Sequence, residues 1–299
     1  MLAAREKVDL AIDAELCEKC RDCAAVCPSG VFVWRDDGEL DVHHPGRCIG
    51  CGHCVAACPT GALTHSLLDG ESFAPMPDEP YPEIETVRRL LRERRSCRRF
   101  ADQPLERAEI ESLIGEANHA PTSTNSQNVR FIVFQGRERV RDLSRRVCGY
   151  YTKLERQLEN PFVRLAISLA VGRKMVNAYR LRMPAIAEMF HETLAGNDRL
   201  FYGAPAVLVM FASGLRHLAT ASCNLAAMEI MLVAPPLELG TCYNGYALTA
   251  LVRDRKVREE VGIPRGAHAG AVLAIGRPDV RFHRIPPRKN RRIIWNSSQ

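Results

Sequence analysis

The sequence contains no apolar run that approaches the roughly 20 residues needed to cross a lipid bilayer; residues 206–212 form one of its longest apolar stretches. Residues 1–15 also lack the apolar core of a secretory signal peptide. No Gly-x-Gly-x-x-Gly motif follows a predicted strand, which excludes a Rossmann-type dinucleotide site. We therefore expect a cytoplasmic protein that does not enter a membrane.

The chain carries little net charge for its 299 residues, because 41 Lys and Arg face 35 Asp and Glu, for a formal charge of +6. Its arginines cluster at 88–99, 137–146 and 281–292, which suits an acidic partner or a phosphate ligand better than a nucleic acid. For residues 137–146, a solvated helix face is the better interpretation. The length predicts two domains of unequal size, and we expect no nucleic-acid partner.

Twelve cysteines are present, and without an export signal they favour metal binding or redox chemistry over disulfides. Two copies of the spacing Cys-x2-Cys-x2-Cys-x3-Cys-Pro occur, at residues 17–28 and, 31 residues later, at 48–59. In such a repeat, three thiolates of one loop and the fourth of the other loop hold each [4Fe-4S] cluster. The predicted ligand sets are Cys17, Cys20, Cys23 and Cys58 for one cluster, and Cys48, Cys51, Cys54 and Cys27 for the other. A zinc ribbon is the alternative, but it pairs two Cys-x2-Cys knuckles and has no use for this pattern.

The two motifs end in Pro-Ser-Gly and Pro-Thr-Gly, and they resemble those of the two-cluster bacterial ferredoxins. This resemblance implies a ferredoxin-like domain with two [4Fe-4S] clusters over residues 1–68. Residues 69–82 are rich in proline and acidic side chains and are predicted to form a linker. A second domain is predicted over residues 83–299.

The second domain begins with two helical patterns, each followed by a polar loop. The first loop, residues 94–100, offers guanidinium groups and a hydroxyl that suit a phosphate. The second loop, residues 121–128, offers short hydrogen-bonding side chains around a turn. Each loop also has an ordinary interpretation, because arginine runs are usually solvated faces, and Ser, Thr and Asn runs are usually turns or caps.

The order of five segments is more specific than either loop. Arg-x-Ser-x-Arg-x-Phe is followed by Ala-Pro-Thr-Ser-x-Asn-x-Gln before a strand, and then by segments at 203–212, 237–243 and 269–278. This succession resembles the nitroreductase family of FMN enzymes over residues 83–290. The resemblance implies an α+β sandwich, an interlocked homodimer and FMN sites at the dimer interface. The predicted fold class is therefore α+β, with a ferredoxin-like domain in front of a nitroreductase-type sandwich.

The resemblance also implies roles for individual residues of this chain. The FMN phosphate and the edge of the ring would be held by Arg94, Arg95, Ser96 and Arg98. The second loop would reach the flavin from the partner chain through Pro121, Thr122, Ser123 and Asn125, with Gln127 nearby. The flavin N5 and O4 atoms would face backbone amides around Leu239, Gly240 and Thr241. The phosphate clamp would be completed by Arg288 and Lys289, in competition with other basic residues of the same stretch.

The chain departs from the family's common pattern in three places. Asn128 and Val129 follow Gln127 where many members have Pro-Trp. Pro235 and Pro236 interrupt the run before the segment 237–243, and Glu238 stands where glycine is frequent. These differences bear on the substrate side of the site. They leave the predicted FMN contacts in place.

Residues 150–202 lie where family members carry a variable insertion that covers the flavin. The insertion is helical by pattern, and we expect breaks at Pro161 and Pro184. The four cysteines outside the repeat lack cluster spacing and are interpreted as small buried hydrophobic residues. A thiol near the flavin is the weaker alternative for Cys242.

Together the two predicted domains describe a route for electrons. Iron-sulfur clusters pass single electrons, whereas FMN accepts one or two and delivers a pair. We expect an FMN-dependent oxidoreductase that reduces a small electrophilic acceptor, such as a nitroaromatic, a quinone or an activated alkene. A ferredoxin-type protein or NAD(P)H would be the donor, and the sequence marks no histidine or carboxylate as a proton donor. The alternatives are an electron carrier or redox sensor that serves a protein partner, and a dehalogenating or flavin-fragmenting enzyme of the same family.

Overall fold

The computed structural model describes residues 8–36 and 38–296, and their first part consists of short strands and short helices. The strands are β1 (Leu10–Ile12), β2 (Phe32–Trp34), β3 (Leu40–Val42) and β4 (Leu63–His65). The helices are α1 (Asp22–Ala25) and α2 (His53–Ala56). The pairs β1–β4 and β2–β3 are antiparallel. In β1 and β2 a buried residue, Leu10 or Phe32, is followed by an exposed one, the alternation expected of a strand with one face on a core.

The 31-residue repeat of the cysteines is also a structural repeat. Shifting α1 and β2 by 31 residues gives α2 and β4. The small core of this part includes Val31 and Leu63 together with one cysteine of each motif, Cys23 and Cys54. Residues 74–83, which follow it, form neither helix nor strand and are exposed.

The remainder of the described chain is a four-stranded antiparallel sheet covered by helices. Its strands are β5 (Arg130–Gln135), β6 (Ala206–Ser213), β7 (Gly240–Tyr243) and β8 (Ala267–Gly276), in the order β5-β6-β8-β7. Its helices are α3 (Ile84–Glu93), α4 (Arg107–Ala117), α5 (Arg137–Glu159), α6 (Pro161–Val171), α7 (Arg173–Leu194), α8 (Arg216–Val233), α9 (Gly245–Arg253) and α10 (Arg255–Val261).

Helices cover both faces of this sheet, so its central strands β6 and β8 are almost entirely buried. Alternate residues of β6 serve two different cores. Leu208 and Met210 belong to the core that contains α4 and α8, whereas Val207 and Val209 belong to the core that contains α5 and α9. The predicted α+β class is confirmed by this arrangement. Within the described residues, no helix is both long and apolar enough to span a membrane.

The predicted insertion is helical, but one of its two expected breaks is wrong. Pro161 is the first residue of α6, and the side chain of Asn160 caps this helix by accepting hydrogen bonds from the amides of Phe162 and Val163. Pro184 instead lies inside α7, which continues past it. The actual second break is Gly172, whose φ of 90° is accessible to glycine at little cost.

Candidate functional site

Two cavities in the first part of the molecule are each lined by four cysteines. The Cys17 pocket contains Cys17, Cys20, Cys23 and Cys58, and the Cys48 pocket contains Cys27, Cys48, Cys51 and Cys54. The structure therefore brings together the same two sets that the repeat predicts, three thiols from one motif and the fourth from the other. Among the described residues, no three His, Cys, Asp or Glu side chains form a site for a single metal ion. Each set of four surrounds a cavity instead.

The chemistry of both pockets fits an iron-sulfur cluster. Burial raises the pKa of the Cys54 thiol to about 11 and also raises the pKa of Cys23, and the nearby cysteines of the same pocket add to both shifts. Thiols crowded in this way keep their protons at neutral pH until a metal centre displaces them. In the Cys17 pocket, the buried Nε1 of Trp34 has no hydrogen-bond partner among the described residues. This indole N–H is a donor for an acceptor held in the cavity.

The Cys48 pocket contains a buried histidine that the cysteine motif does not mark. The amide of Leu67 donates to Nδ1 of His65 at 3.1 Å, which places the ring proton on Nε2. Nε2 lies 3.4 Å from Sγ of Cys48, so His65 donates to a predicted cluster ligand. At the same place in the first repeat, 31 residues earlier, stands Trp34. Aligning the two repeats at this offset is the sequence signal that would have found both residues.

The arginines expected to bind phosphate gather beyond the end of α3. Burial, together with the positive charges of Arg95 and Arg288, lowers the pKa of Arg94. Arg98 lies beside Tyr202, a residue of the predicted insertion. An anion would relieve this concentration of like charge, and guanidinium groups match the geometry of phosphate. We refer to Arg94, Arg95, Arg98 and Arg288 as the arginine cluster.

The backbone next to the arginine cluster is fixed by close packing. Ser96 forms a parallel bridge with Thr241, and the amide of Cys97 donates to the carbonyl of Thr241 at 2.8 Å. A Cβ at Gly240 would lie 2.8 Å from Cβ of Cys97, so only glycine fits there. The predicted amides of residues 239–241 therefore lie at the arginine cluster. Lys289 follows Arg288 on the exposed segment after β8.

The other predicted flavin residues form a strained loop, residues 121–127, which we call the Asn125 loop. Thr124, Asn125 and Gln127 all have positive φ values, between 43° and 51°. The hydroxyl of Thr122 accepts from the amide of Gln127 at 2.9 Å, and the Gln127 side chain donates to Oδ1 of Asn125 at 3.2 Å. Nδ2 of Asn125 donates to the carbonyl of Gly50 at 2.9 Å. Gly50 lies between two cysteines of the Cys48 pocket, so the loop joins that pocket to the second part of the molecule.

The arginine cluster and the Asn125 loop lie at diagonally opposite corners of the sheet. The loop leads into edge strand β5 beside Ser213, whose carbonyl accepts from Asn128 at 3.0 Å. Gly240 begins the other edge strand, β7, and pairs with Gly276, beyond the Ala206 end of β6. Those two ends of β6 are roughly 23 Å apart at the usual rise per strand residue. Within one chain, the two sets of predicted flavin residues are therefore not brought together.

Buried residues of the insertion are chiefly core. Tyr151 stacks on Phe190 with ring centroids 4.2 Å apart, and both rings meet Tyr246 edge-on. Tyr202 differs, because it has a φ of 59° and lies near both Arg98 and Cys242. Burial raises the pKa of Cys242, which also lies near Arg98. Cys242 is therefore a buried, protonated thiol at the arginine cluster.

Comparisons with known proteins were made for the whole chain. The Nitroreductase family model matches residues 91–277, and the model of a 4Fe-4S dicluster domain matches residues 9–59. This chain is similar to a nitroreductase with bound FMN from Bacteroides fragilis, at 16% identity and a TM-score of 0.53. The match covers 70% of this chain and 98% of the Bacteroides fragilis chain. It is also similar to a nitroreductase with bound FMN from Desulfitobacterium hafniense, at 20% identity and a TM-score of 0.51, and that match covers 72% of this chain and 100% of the other. At these identities the likeness is one of fold. No match was found among curated proteins.

Proposed function

The chain belongs to the nitroreductase family, and on this premise we propose that it is an FMN-dependent oxidoreductase that takes up single electrons through two [4Fe-4S] clusters. When bound, FMN supplies the exchange between one-electron and two-electron chemistry. One observation carries the proposal: two cavities lined by four cysteines each lie in a domain that is hydrogen-bonded to the Asn125 loop of the second domain. One chain would thus supply both an electron source and part of the residues of a flavin site.

The arginine cluster would hold the FMN phosphate, with Ser96 beside it and the amides of residues 239–241 facing the ring. The Asn125 loop would contact the same flavin from a second chain. Because these two sets lie at opposite corners of one sheet, a flavin held by both requires two chains. We therefore propose a homodimer in which each flavin is shared.

The acceptor would be a small electrophile, such as a nitroaromatic, a quinone or an activated alkene. Helix α6 exposes Phe162, Leu165 and Leu169, which suits a segment that covers an apolar molecule or a neighbouring chain. Protons would come from solvent or from a residue of the insertion. The electron donor would be a ferredoxin-type protein or NAD(P)H.

Cofactor analysis tests the proposal directly. Protein purified without oxygen should contain about eight irons, about eight acid-labile sulfides and about one FMN per chain. Zinc without sulfide would overturn the role of the cysteine pockets. Clusters without flavin would overturn the role of the second domain.

Substituting Arg98→Ala should release FMN while leaving the iron and sulfide content unchanged, because it removes one guanidinium of the arginine cluster. Arg99→Ala is the matched control, since Arg99 is the next residue and pairs with Asp279 at 2.8 Å on the surface. The measurement is flavin released per chain after gel filtration. Equal flavin retention in the two variants would contradict the phosphate assignment.

A further inference from the structure

The two cysteine pockets are not equivalent in their contact with the second domain. Within the described residues, the hydrogen bonds from the Asn125 loop to the first domain go to the carbonyls of Ile49 and Gly50. Both residues lie between Cys48 and Cys51, in the loop that lines the Cys48 pocket. The Asn125 loop therefore contacts the chain segment between two cysteines that would hold a cluster in this pocket.

The contact between the two domains joins the side-chain amide of Asn125 to the backbone of the cysteine loop. Asn125 uses its amide group on both sides, since Nδ2 donates to Gly50 and Oδ1 accepts from Gln127. Its φ of 50° is one that asparagine tolerates better than most residues. Gly50 itself has a φ of 64°, a conformation that favours glycine, and its carbonyl accepts the hydrogen bond from Asn125. The contact thus aligns the Cys48 pocket with the predicted flavin residues of the same chain.

The flavin that these residues would meet is the one clamped by a different chain. The Asn125 loop lies at the sheet corner opposite its own arginine cluster. In a dimer with shared sites, the Cys48 pocket of one chain would therefore lie beside the flavin whose phosphate the arginine cluster of the second chain would hold.

We propose that the cluster in the Cys48 pocket is the one that reduces the flavin, and that it serves the flavin clamped by the other chain of the dimer. This inference rests on the proposed function. Each step would move one electron, oxidising the Cys48-pocket cluster and reducing the flavin. Two such steps, with protons from solvent, would complete the reduction, and an external one-electron donor protein would re-reduce the clusters. Asn125 is the positioning residue of this path.

Mixed dimers test the crossing between chains. One chain carries Cys51→Ala, which removes a ligand of the Cys48 pocket, and the other carries Arg98→Ala, which removes the flavin clamp. Two different affinity tags isolate the dimer that contains one of each. Iron, released flavin and the absorbance of the flavin after rapid mixing with a reduced ferredoxin are measured, with both parent homodimers as controls.

The proposal predicts that the mixed dimer reduces flavin through its clusters, with about half of the wild-type amplitude, because one of its two symmetric sites is complete. Neither parent homodimer should do so. A mixed dimer that holds flavin and clusters but reduces no more flavin than the Cys51→Ala homodimer would overturn the proposal. Wild-type protein without flavin would instead overturn the proposed function as well.

Asn125→Asp tests the junction without removing a cluster ligand or an arginine. The carboxylate has the shape of the amide but repels the carbonyl of Gly50, so cluster-dependent flavin reduction should slow by about tenfold. Ser126→Ala is the matched control, since the Ser126 hydroxyl donates to Asn128, the residue that follows the loop, and not to the first domain. Hydrogen exchange of the peptide around Gly50 should rise in Asn125→Asp alone. Unchanged exchange and rate in Asn125→Asp would refute the junction.

Discussion

The two cysteine pockets have the same cysteine spacing and different neighbours, so they can be compared within one molecule. In the Cys17 pocket, Arg21 has a φ of 73° and its guanidinium lies 4.9 Å above the ring of Trp34. In the Cys48 pocket, the equivalent residue is Gly52, with a φ of 74°. There the chain packs closely, and His65 donates to Cys48. The difference teaches that both repeats have the same cysteine pattern, while the residues between and after the cysteines decide what each pocket contacts.

Removing one cysteine from each pocket in turn should give the largest difference between the pockets, which we expect in the reduction of the flavin. Cys51→Ala and Cys20→Ala should each remove about four of about eight irons. Cys51→Ala should abolish cluster-dependent flavin reduction, because it empties the pocket joined to Asn125. Cys20→Ala should only slow it, because the joined pocket stays filled. Iron analysis checks the loss of iron, and rapid mixing with a reduced ferredoxin checks the rate of flavin reduction. An equal loss of flavin reduction in the two variants would show that the pockets are interchangeable.

Substitutions at Arg21 and Gly52, the equivalent positions with positive φ in the two repeats, should change the stability of the first domain by different amounts, an intermediate effect. A Cβ at Gly52 would lie 3.1 Å from side-chain carbons of Leu68 and Phe73, in a backbone conformation that favours glycine. Gly52→Ala should therefore destabilise the first domain by about 1–2 kcal/mol. Arg21→Gly should change stability by less than about 1 kcal/mol, since relief of the same strain offsets the lost contact with Trp34. The check is the denaturant concentration at which cluster absorbance disappears, and similar midpoints for the two variants would contradict the comparison.

Replacing His65 or Trp34, the aromatic residue at the equivalent place in each pocket, should give the smallest effect, a shift in the reduction potential of one cluster. His65→Phe removes a hydrogen bond to Cys48 and should lower the reduction potential of one cluster by about 50 mV, the equivalent of about 1.2 kcal/mol for one electron. His65→Gln keeps a donor and should restore much of the potential. Trp34→Phe is the matched change in the other pocket. Redox titration followed by electron paramagnetic resonance checks these shifts, and an unchanged potential in His65→Phe would remove His65 from the set of residues that tune the cluster.

The sequence was most informative where the chemistry is local. The grouping of Cys58 with Cys17 and of Cys27 with Cys48 follows from the spacing alone, because each fourth cysteine leaves its own loop at a fixed point. The helical character of residues 150–202 follows from periodicity, but the break at Pro184 does not occur, because the surrounding helix tolerates one missing amide donor.

Features that depend on distant pairing were beyond the sequence. Asn125 and Gly50 are 75 residues apart, and the side chain of Asn125 suits a cofactor contact as well as a contact between domains. The diagonal separation of the arginine cluster and the Asn125 loop depends on the strand order β5-β6-β8-β7, which periodicity does not determine. His65 was missed because no cysteine spacing refers to it.

The opposite corners of the sheet have a consequence for assembly. A ligand that is held by one corner of each of two chains binds the pair and not the single chain, so it drives association by mass action. At a free concentration 100 times its dissociation constant, such a ligand stabilises the state it binds by about 2.7 kcal/mol. The supply of FMN would then control how many chains are paired. Chains left single would keep their iron-sulfur clusters but have no complete flavin site to which electrons could be delivered.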